Sequence, residues 1–204
     1  MRFISRLLLF SAIAVLVACG GTSLRRTWTD PEAEGRRIDK IAIVGFSPHR
    51  DVRDIFEDVL AEALRARGND VVASHLLVPE DFQASRQDLQ NLVAQEGLGG
   101  VLTCSAIYVD ASEEVVVGGE LYRPQLDGDL YAYALRTRRL LPAEGVVAPS
   151  DPFVHIEARL FETDSGKLIW GGITRSQNDG DVAKLARDYG KTAALQLSAK
   201  GFIK

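Results

Sequence analysis

Few side chains in this sequence are grouped so that they could do chemistry. His49 with Asp51 and Asp54 is the one local set with the makings of a metal site or a general base. On a helix opening near Pro48, however, His49 and Asp51 are two residues apart and point to different sides. Asp51 and Asp54 there offset the positive helix end, so first-turn capping is the expectation. His75 falls at a strand–loop junction and His155 on the polar side of an alternating strand. Gly190-Lys191-Thr192 copies the end of a phosphate-binding loop, but Leu185 stands where the motif needs its upstream glycine. Glu32, Glu34, Glu113 and Glu114 read as solvated loop carboxylates. No nucleophile–base pair, metal set or cofactor motif emerges, so neither an enzyme nor a cofactor is expected. The residues best suited to contact are Tyr122, Arg123, Tyr131, Tyr133 and Arg136. Tyrosine and arginine bury area while keeping polar ends, which makes them the usual anchors of binding surfaces. Asp127-Gly128 between two short runs predicts a hairpin carrying these side chains into solvent, either to hold a partner or as a plain surface feature.

Two cysteines differ sharply in setting. Cys104 lies in the apolar run Val101–Val109 with no histidine near in sequence, the setting of a small buried thiol. Cys19 closes the apolar run Leu7–Ala18, 12 residues broken only by Ser11 and preceded by Arg2 and Arg6. A spanning helix needs about 20 apolar residues, so this run is too short to stay in a bilayer and reads as a secretory signal. Its end, Leu16-Val17-Ala18-Cys19, resembles the lipobox of bacterial lipoproteins. That resemblance implies cleavage before Cys19, diacylation of its sulfur, and a membrane partner held through the lipid. Gly20 after the cysteine, in place of Asp, implies by the same resemblance the outer membrane, facing the periplasm.

Without residues 1–18, 186 residues remain, carrying 22 basic and 28 acidic side chains, a net charge of −6. That is one ordinary domain with room for a real core, and its acidic balance argues against nucleic acid as a partner. Residues 19–37 are polar and broken by Gly and Pro, which predicts a flexible tether on the order of 25 Å in reach. Trp28 within it is expected to dock on the domain. A single domain is expected over 38–203, with an insertion at about 111–151.

The continuous apolar run in Ile38–Phe46 suits a strand buried on both faces. Ser47-Pro48 then opens a helix whose stripe is Val52, Ile55, Phe56, Val59, Leu60, Ala63 and Leu64, with Phe56 central, Arg65 opposite, and Gly68-Asn69 as the stop. Asp70–Ala73 reads as a second strand. Ser85 and Asp88 form a capping box for a second helix ending at Gly97, and Gly99–Val109 is a third strand. Val154, Ile156, Ala158 and Leu160 alternate with polar residues, Asp164–Lys167 turns the chain, and Leu168–Thr174 returns beside them. Val182, Leu185, Ala186, Tyr189 and Ala193 mark a closing helix. The expected fold is therefore α/β: a mixed sheet with helices packed on it, a βαβαβ start, then a β-hairpin and a C-terminal helix.

The strings Ser47–Gly68, Leu98–Val109 and Asp164–Gly172, with Trp28-Thr29-Asp30-Pro31 and Leu168-Ile169-Trp170, resemble a type of small bacterial lipoprotein of unknown function. The layout is also similar to the periplasmic α/β domain of curli-secretion lipoproteins and of lipoprotein activators of penicillin-binding proteins. The resemblance implies a non-enzymatic envelope lipoprotein that binds or scaffolds an envelope protein or a peptidoglycan-associated partner, and it supplies no catalytic residues. An oligomeric secretion or pore subunit is the main alternative. A cell-wall or small-molecule hydrolase is the second.

Overall fold

A computed structural model of the chain describes residues 21–78, 85–107, 129–140 and 152–204, with side chains of 136–140 left aside. Strands β1 (Thr22–Thr29), β2 (Lys40–Phe46), β3 (Asp70–Ala73), β4 (Gly100–Ile107), β5 (Phe153–Glu162) and β6 (Leu168–Gln177) form one mixed sheet. Its order is β1-β6-β5-β4-β2-β3. The helices are α1 (Arg50–Arg65), α2 (Arg86–Glu96), α3 (Leu130–Leu140) and α4 (Val182–Ala199), with a 3₁₀ turn at Ser74–Leu76. The α/β class, the mixed sheet and the C-terminal helix are thus as the residue pattern predicts.

β3 and β4 both pair parallel with β2, one on each side. The chain moves one way across the sheet from β2 to β3 and the other way from β3 to β4. Right-handed crossovers made in opposite directions must place their helices on opposite faces. Accordingly Leu60, Ala61 and Leu64 of α1 join Tyr189, Ala193 and Leu197 of α4 over Ile41, Ile43, Leu102, Ile156 and Leu160. Leu89 and Val93 of α2 pack with Leu130, Tyr131 and Tyr133 of α3 on the other face, over Ala42, Val101 and Phe161. Neighbouring residues of β2 therefore serve different cores, which is why that strand is apolar throughout. At Gly190 the two helices of the first face approach so closely that a Cβ would sit 2.9 Å from the Ala63 methyl. The Gly190-Lys191-Thr192 tripeptide is a packing feature, not a phosphate loop.

Several local signals hold. Ser85 and Asp88 form the full capping box of α2, and Gly97 closes that helix at φ 61°. Gly68, at φ 80°, follows α1, and the Asn69 amide donates to the Leu64 carbonyl. The opening of α1 differs slightly: His49 is the N-cap, and the Ser47 hydroxyl instead accepts from the His49 amide.

Two expectations are corrected. The tether expected over 19–37 contains strand β1, paired antiparallel with β6 from Thr22↔Ser176 to Thr29↔Trp170. Its polar, arginine-bearing composition is what an edge strand tolerates, since one of its margins stays in water. Beyond it Ala33 and Ile38 are buried and the Gly35 amide donates to the Lys200 carbonyl, so the folded unit begins well before residue 38. Trp28 docks on the second core, as expected. The second correction concerns the insertion: Leu130–Leu140 is helix α3, not a hairpin strand. Asp127-Gly128 lies outside the described residues.

The phase of α1 also shifts. Leu60 and Leu64 are fully buried, Phe56 is half-buried against the Tyr189 ring at 5.6 Å, and Ile55 is exposed. Arg65 is tied down as well, its Nε donating to the Val71 carbonyl at 2.7 Å. Leu60→Ala is expected to cost about 2–5 kcal/mol in urea unfolding, and Ile55→Ala under about 0.5 kcal/mol. Equal midpoints for the two variants would show that the helix is wrongly phased.

Candidate functional site

Glu57 lies one turn before Leu60 and two before Leu64, in register with the buried stripe of α1, and it is fully buried. A bare carboxylate there would be costly, so its hydrogen bonds must be accounted for. Oε1 accepts from the Gly45 amide at 2.7 Å and the Ser74 hydroxyl at 2.8 Å. Oε2 accepts from the His75 amide and pairs with His75 Nδ1, each at 3.0 Å. Gly45 belongs to β2, and Ser74 and His75 follow β3, so one carboxylate clamps the carboxyl ends of two parallel strands. The approach is close: a Cβ at 45 would sit 3.1 Å from Arg53 Cγ and 3.4 Å from Glu57 Cγ.

The clamp continues outward. His75 Nε2 lies 3.3 Å from Asp58 Oδ1, and Nδ1 lies 4.0 Å from Asp54 Oδ1. Asp54 also accepts from Arg50 Nε at 3.1 Å and from Arg53 Nη2 at 2.9 Å. Desolvation pulls the Asp54 carboxyl upward, but the bonds from Arg53 and Arg50 and the nearby His75 together hold it below its usual range. Ser74, His75 and Glu57 sit side by side without the geometry of a nucleophile relay. The Ser74 hydroxyl donates to the carboxylate rather than to the imidazole, and the far imidazole nitrogen faces Asp58. No group of three or more metal-binding side chains occurs among the described residues, and His49 stands apart from this cluster as an exposed N-cap.

Beside the clamp, a cleft of about 210 Å³ opens between the second face of the sheet and helices α2 and α3. Val44, Leu77, Leu92, Val101 and Leu135 supply apolar walls, while Ser47, Arg53, Ser74 and His75 place polar groups at its margin. A cavity of about 150 Å³ lined by apolar groups stays dry and takes up benzene, so a space of this size suits one or two apolar side chains. It lies outside the carboxyl ends of strands where the chain reverses direction across the sheet, the usual place for binding crevices in open α/β sheets.

An ion pair ties the outer wall of the cleft together at one end. Asp129 caps α3, its Oδ1 accepting from the Ala132 amide at 3.0 Å, and its carboxylate is paired with Arg86 of α2. Arg86 also stacks over the Tyr131 ring at 5.3 Å. The Arg86 hydrogen bond is the main reason the Asp129 carboxyl is held below its usual range. A wider polar depression near this junction includes Arg37, Asp39, Arg86, Asp129 and Glu162, where Arg86 pairs with Asp129 and Glu162 with Arg36.

The expected contact residues fare differently from their prediction. Tyr131 and Tyr133 are 7% and 8% exposed on a helix, not displayed along a strand. On a helix two residues apart point to nearly opposite sides. Tyr131 borders the cleft, whereas Tyr133 sits between Phe46 at 6.0 Å and Phe161 at 5.3 Å, with the Arg159 guanidinium 4.6 Å from its ring. Tyr122, Arg123 and Cys19 lie outside the described residues, as does the side chain of Arg136 on α3. Cys104 is a buried free thiol 3.7 Å from the Tyr189 hydroxyl, and burial pushes it up to about 12, so it is no nucleophile at neutral pH. Sequence reasoning missed Glu57 and His75, and the signal available was a glutamate in step with the buried leucines.

No protein-family description and no curated protein matches the chain. Solved structures similar to it include a PelC dodecamer from Paraburkholderia phytofirmans, 16% identical, covering 90% of this chain and 99% of that chain with a TM-score of 0.45. The LpoB C-terminal domain from Escherichia coli is 14% identical, covering 72% of this chain and 89% of that one with a TM-score of 0.41. Lipoprotein GNA1162 from Neisseria meningitidis is 13% identical, covering 79% and 96% with a TM-score of 0.41. Likeness at this level carries no activity across.

Two outcomes follow from the clamp and the junction. Glu57→Gln keeps the volume but turns an amide toward donors, and should cost about 2–4 kcal/mol in urea with an unchanged slope. A cost under about 0.5 kcal/mol would show that the carboxylate does not hold the strand ends. For Asp129, a lowered folded-state value means its contribution is complete above the ordinary carboxylate value near ~3.9 and disappears as pH falls through the folded value. Asp129→Asn should therefore be less stable than the parent near neutral pH, with the two converging in acid; a gap independent of pH would refute the pairing.

Proposed function

We propose that this chain is a lipid-anchored cell-envelope protein that works by binding, without catalysing a reaction. In this reading the apolar cleft between the sheet and helices α2 and α3 takes an apolar segment of an envelope protein or peptidoglycan-associated partner. The observation that carries the binding half is the cleft itself. Its walls are apolar side chains held by the sheet on one side and by helices α2 and α3 on the other, and its polar margin offers hydrogen bonds to whatever backbone accompanies the guest. The groups at that margin best able to do acid–base work, Ser74 and His75, are bonded to the buried Glu57 and engaged in holding strand ends together. The Cys104 thiol, beneath the first face, is protonated.

The anchoring half rests on Leu16-Val17-Ala18-Cys19 and the short apolar run before it. Gly20 supports the outer membrane, by its likeness to lipoprotein sorting signals. No helix among the described residues is long and apolar enough to cross a membrane, so in this reading attachment falls to the acyl chains.

Each half has its own test. Cys19→Ala should yield a folded domain that no longer floats with membranes and takes up no fatty-acid label, because each buried methylene contributes about 0.8 kcal/mol to attachment. Equal labelling of parent and variant would end the lipoprotein reading. Ala134→Phe fills the cleft from the α3 side and should leave the unfolding free energy within about 1 kcal/mol. It should also abolish partner crosslinks formed in cells from a photoreactive group at Leu135. Undiminished crosslinks in a stably folded Ala134→Phe protein would exclude the cleft as the binding site.

A further inference from the structure

The distance between the acylated residue and the folded domain decides how the domain can stand on a membrane. The Gly21 carbonyl accepts from the Gln177 amide at 2.6 Å, so the folded sheet already begins at Gly21. Only Gly20 separates it from Cys19. Two residues of fully extended chain reach about 7 Å. The polar layer on each side of a bilayer's hydrocarbon core is about as thick, some 5–8 Å. A domain tied this closely to acyl chains has no room to stand clear of the headgroups.

The sheet topology says which part of the domain is tied. β1 enters beside Ser176, near the end of β6, and Phe153 at the start of β5 pairs with Gln177. His155 pairs with Ile107, the last residue of β4, and Phe46 at the end of β2 pairs with Ser105. The anchored end of the sheet is therefore the end at which the parallel strands finish, where the Glu57 clamp lies.

The exposed apolar side chains are distributed accordingly. Among the described residues the large exposed hydrophobics are Leu76 at 65%, Leu195 at 55%, Ile55 at 43% and Phe153 at 40%. Phe153 opens β5 beside the anchor, Leu76 follows the end of β3, and Ile55 is in the second turn of α1, just after β2 ends. From β5 to β3 the sheet crosses β4 and β2, about 14 Å at the usual strand spacing, so among the described residues all three lie at one end of the domain. Leu195 is the exception, about 20 Å further along α4 from its start at the anchored end. Apolar side chains exposed at the one end that a short link holds at the headgroups are side chains placed to enter a lipid interface.

We infer that the anchored protein docks on the bilayer by the end of its sheet where β1 begins, with Phe153, Leu76 and Ile55 entering the headgroup layer. This inference rests on the lipid anchor of the proposed function. It leaves the cleft margin at Ser47, Ser74 and His75 beside the membrane, so a guest would approach along the lipid surface.

The test uses the full lipidated chain in phosphatidylethanolamine and phosphatidylglycerol vesicles doped with a nickel-chelating headgroup lipid. Spin labels are placed through Gln177→Cys and Phe153→Cys at the near end and Asp164→Cys in the β5–β6 turn. The acylated Cys19 sulfur and the buried Cys104 thiol do not compete for the label. Flotation comes first: a chain that does not float has no anchor, and both readings fall. Given flotation, docking predicts roughly tenfold more headgroup-nickel relaxation at 177 and 153 than at 164, which lies about 30 Å away along β5. Equal relaxation at the two ends, or more at 164, leaves the anchor standing and overturns the docking. Because Gln177 is exposed, its label also reports correctly if loss of the Phe153 ring, which packs under Arg175, disturbs the structure in Phe153→Cys.

Discussion

A carboxylate with no access to water is the constraint around which this domain is arranged. Glu57 accepts from Gly45, Ser74 and His75, three groups delivered by two different strands. To satisfy it, α1 must pack tightly over the end of β2, the chain leaving β3 must turn inward, and residue 45 leaves little room for a side chain. The parallel pairs β2–β3 and β2–β4 would form without it, because their apolar residues face two cores. What the carboxylate adds is a defined ending to those strands, the place where an open α/β sheet forms its crevice. Hydrogen bonds from backbone amides restore what desolvation removes, so the cluster is rigid.

The two faces of the sheet have different characters for a related reason. α1 and α4 meet through small side chains and a glycine, close enough to seal their core around Tyr189 and Trp170. On the other side, α2 and α3 are joined at one end by the Arg86–Asp129 pair, with Arg86 over the Tyr131 ring, and the cleft lies between them and β2. Tyr133 fills only the part of that face above Phe161 and Phe46.

Strand β1 unites the sheet with the N-terminal region. It pairs with β6 along its length and carries Trp28 to the second core. A segment bonded in this way cannot also serve as a long spacer.

Much of the fold was legible from residue order alone, because the patterns concerned are local. Apolar alternation in Val154–Leu160, the Ser85–Asp88 box, and the two-faced apolar run of β2 each follow from the geometry of one element and need no neighbour. What tertiary structure decided is where a local pattern admits two outcomes. Thr22–Thr29 looks like solvated linker until β6 offers it an unpaired edge. Tyr131 and Tyr133 alternate as strand residues would, yet capping by Asp129 and burial against Phe161 make their segment a helix, which sends the two rings opposite ways. Glu57 and His75 are ordinary polar residues in sequence, 18 positions apart. Only the packing of α1 on the ends of β2 and β3 buries the Glu57 carboxylate and brings His75 within hydrogen-bond reach of it.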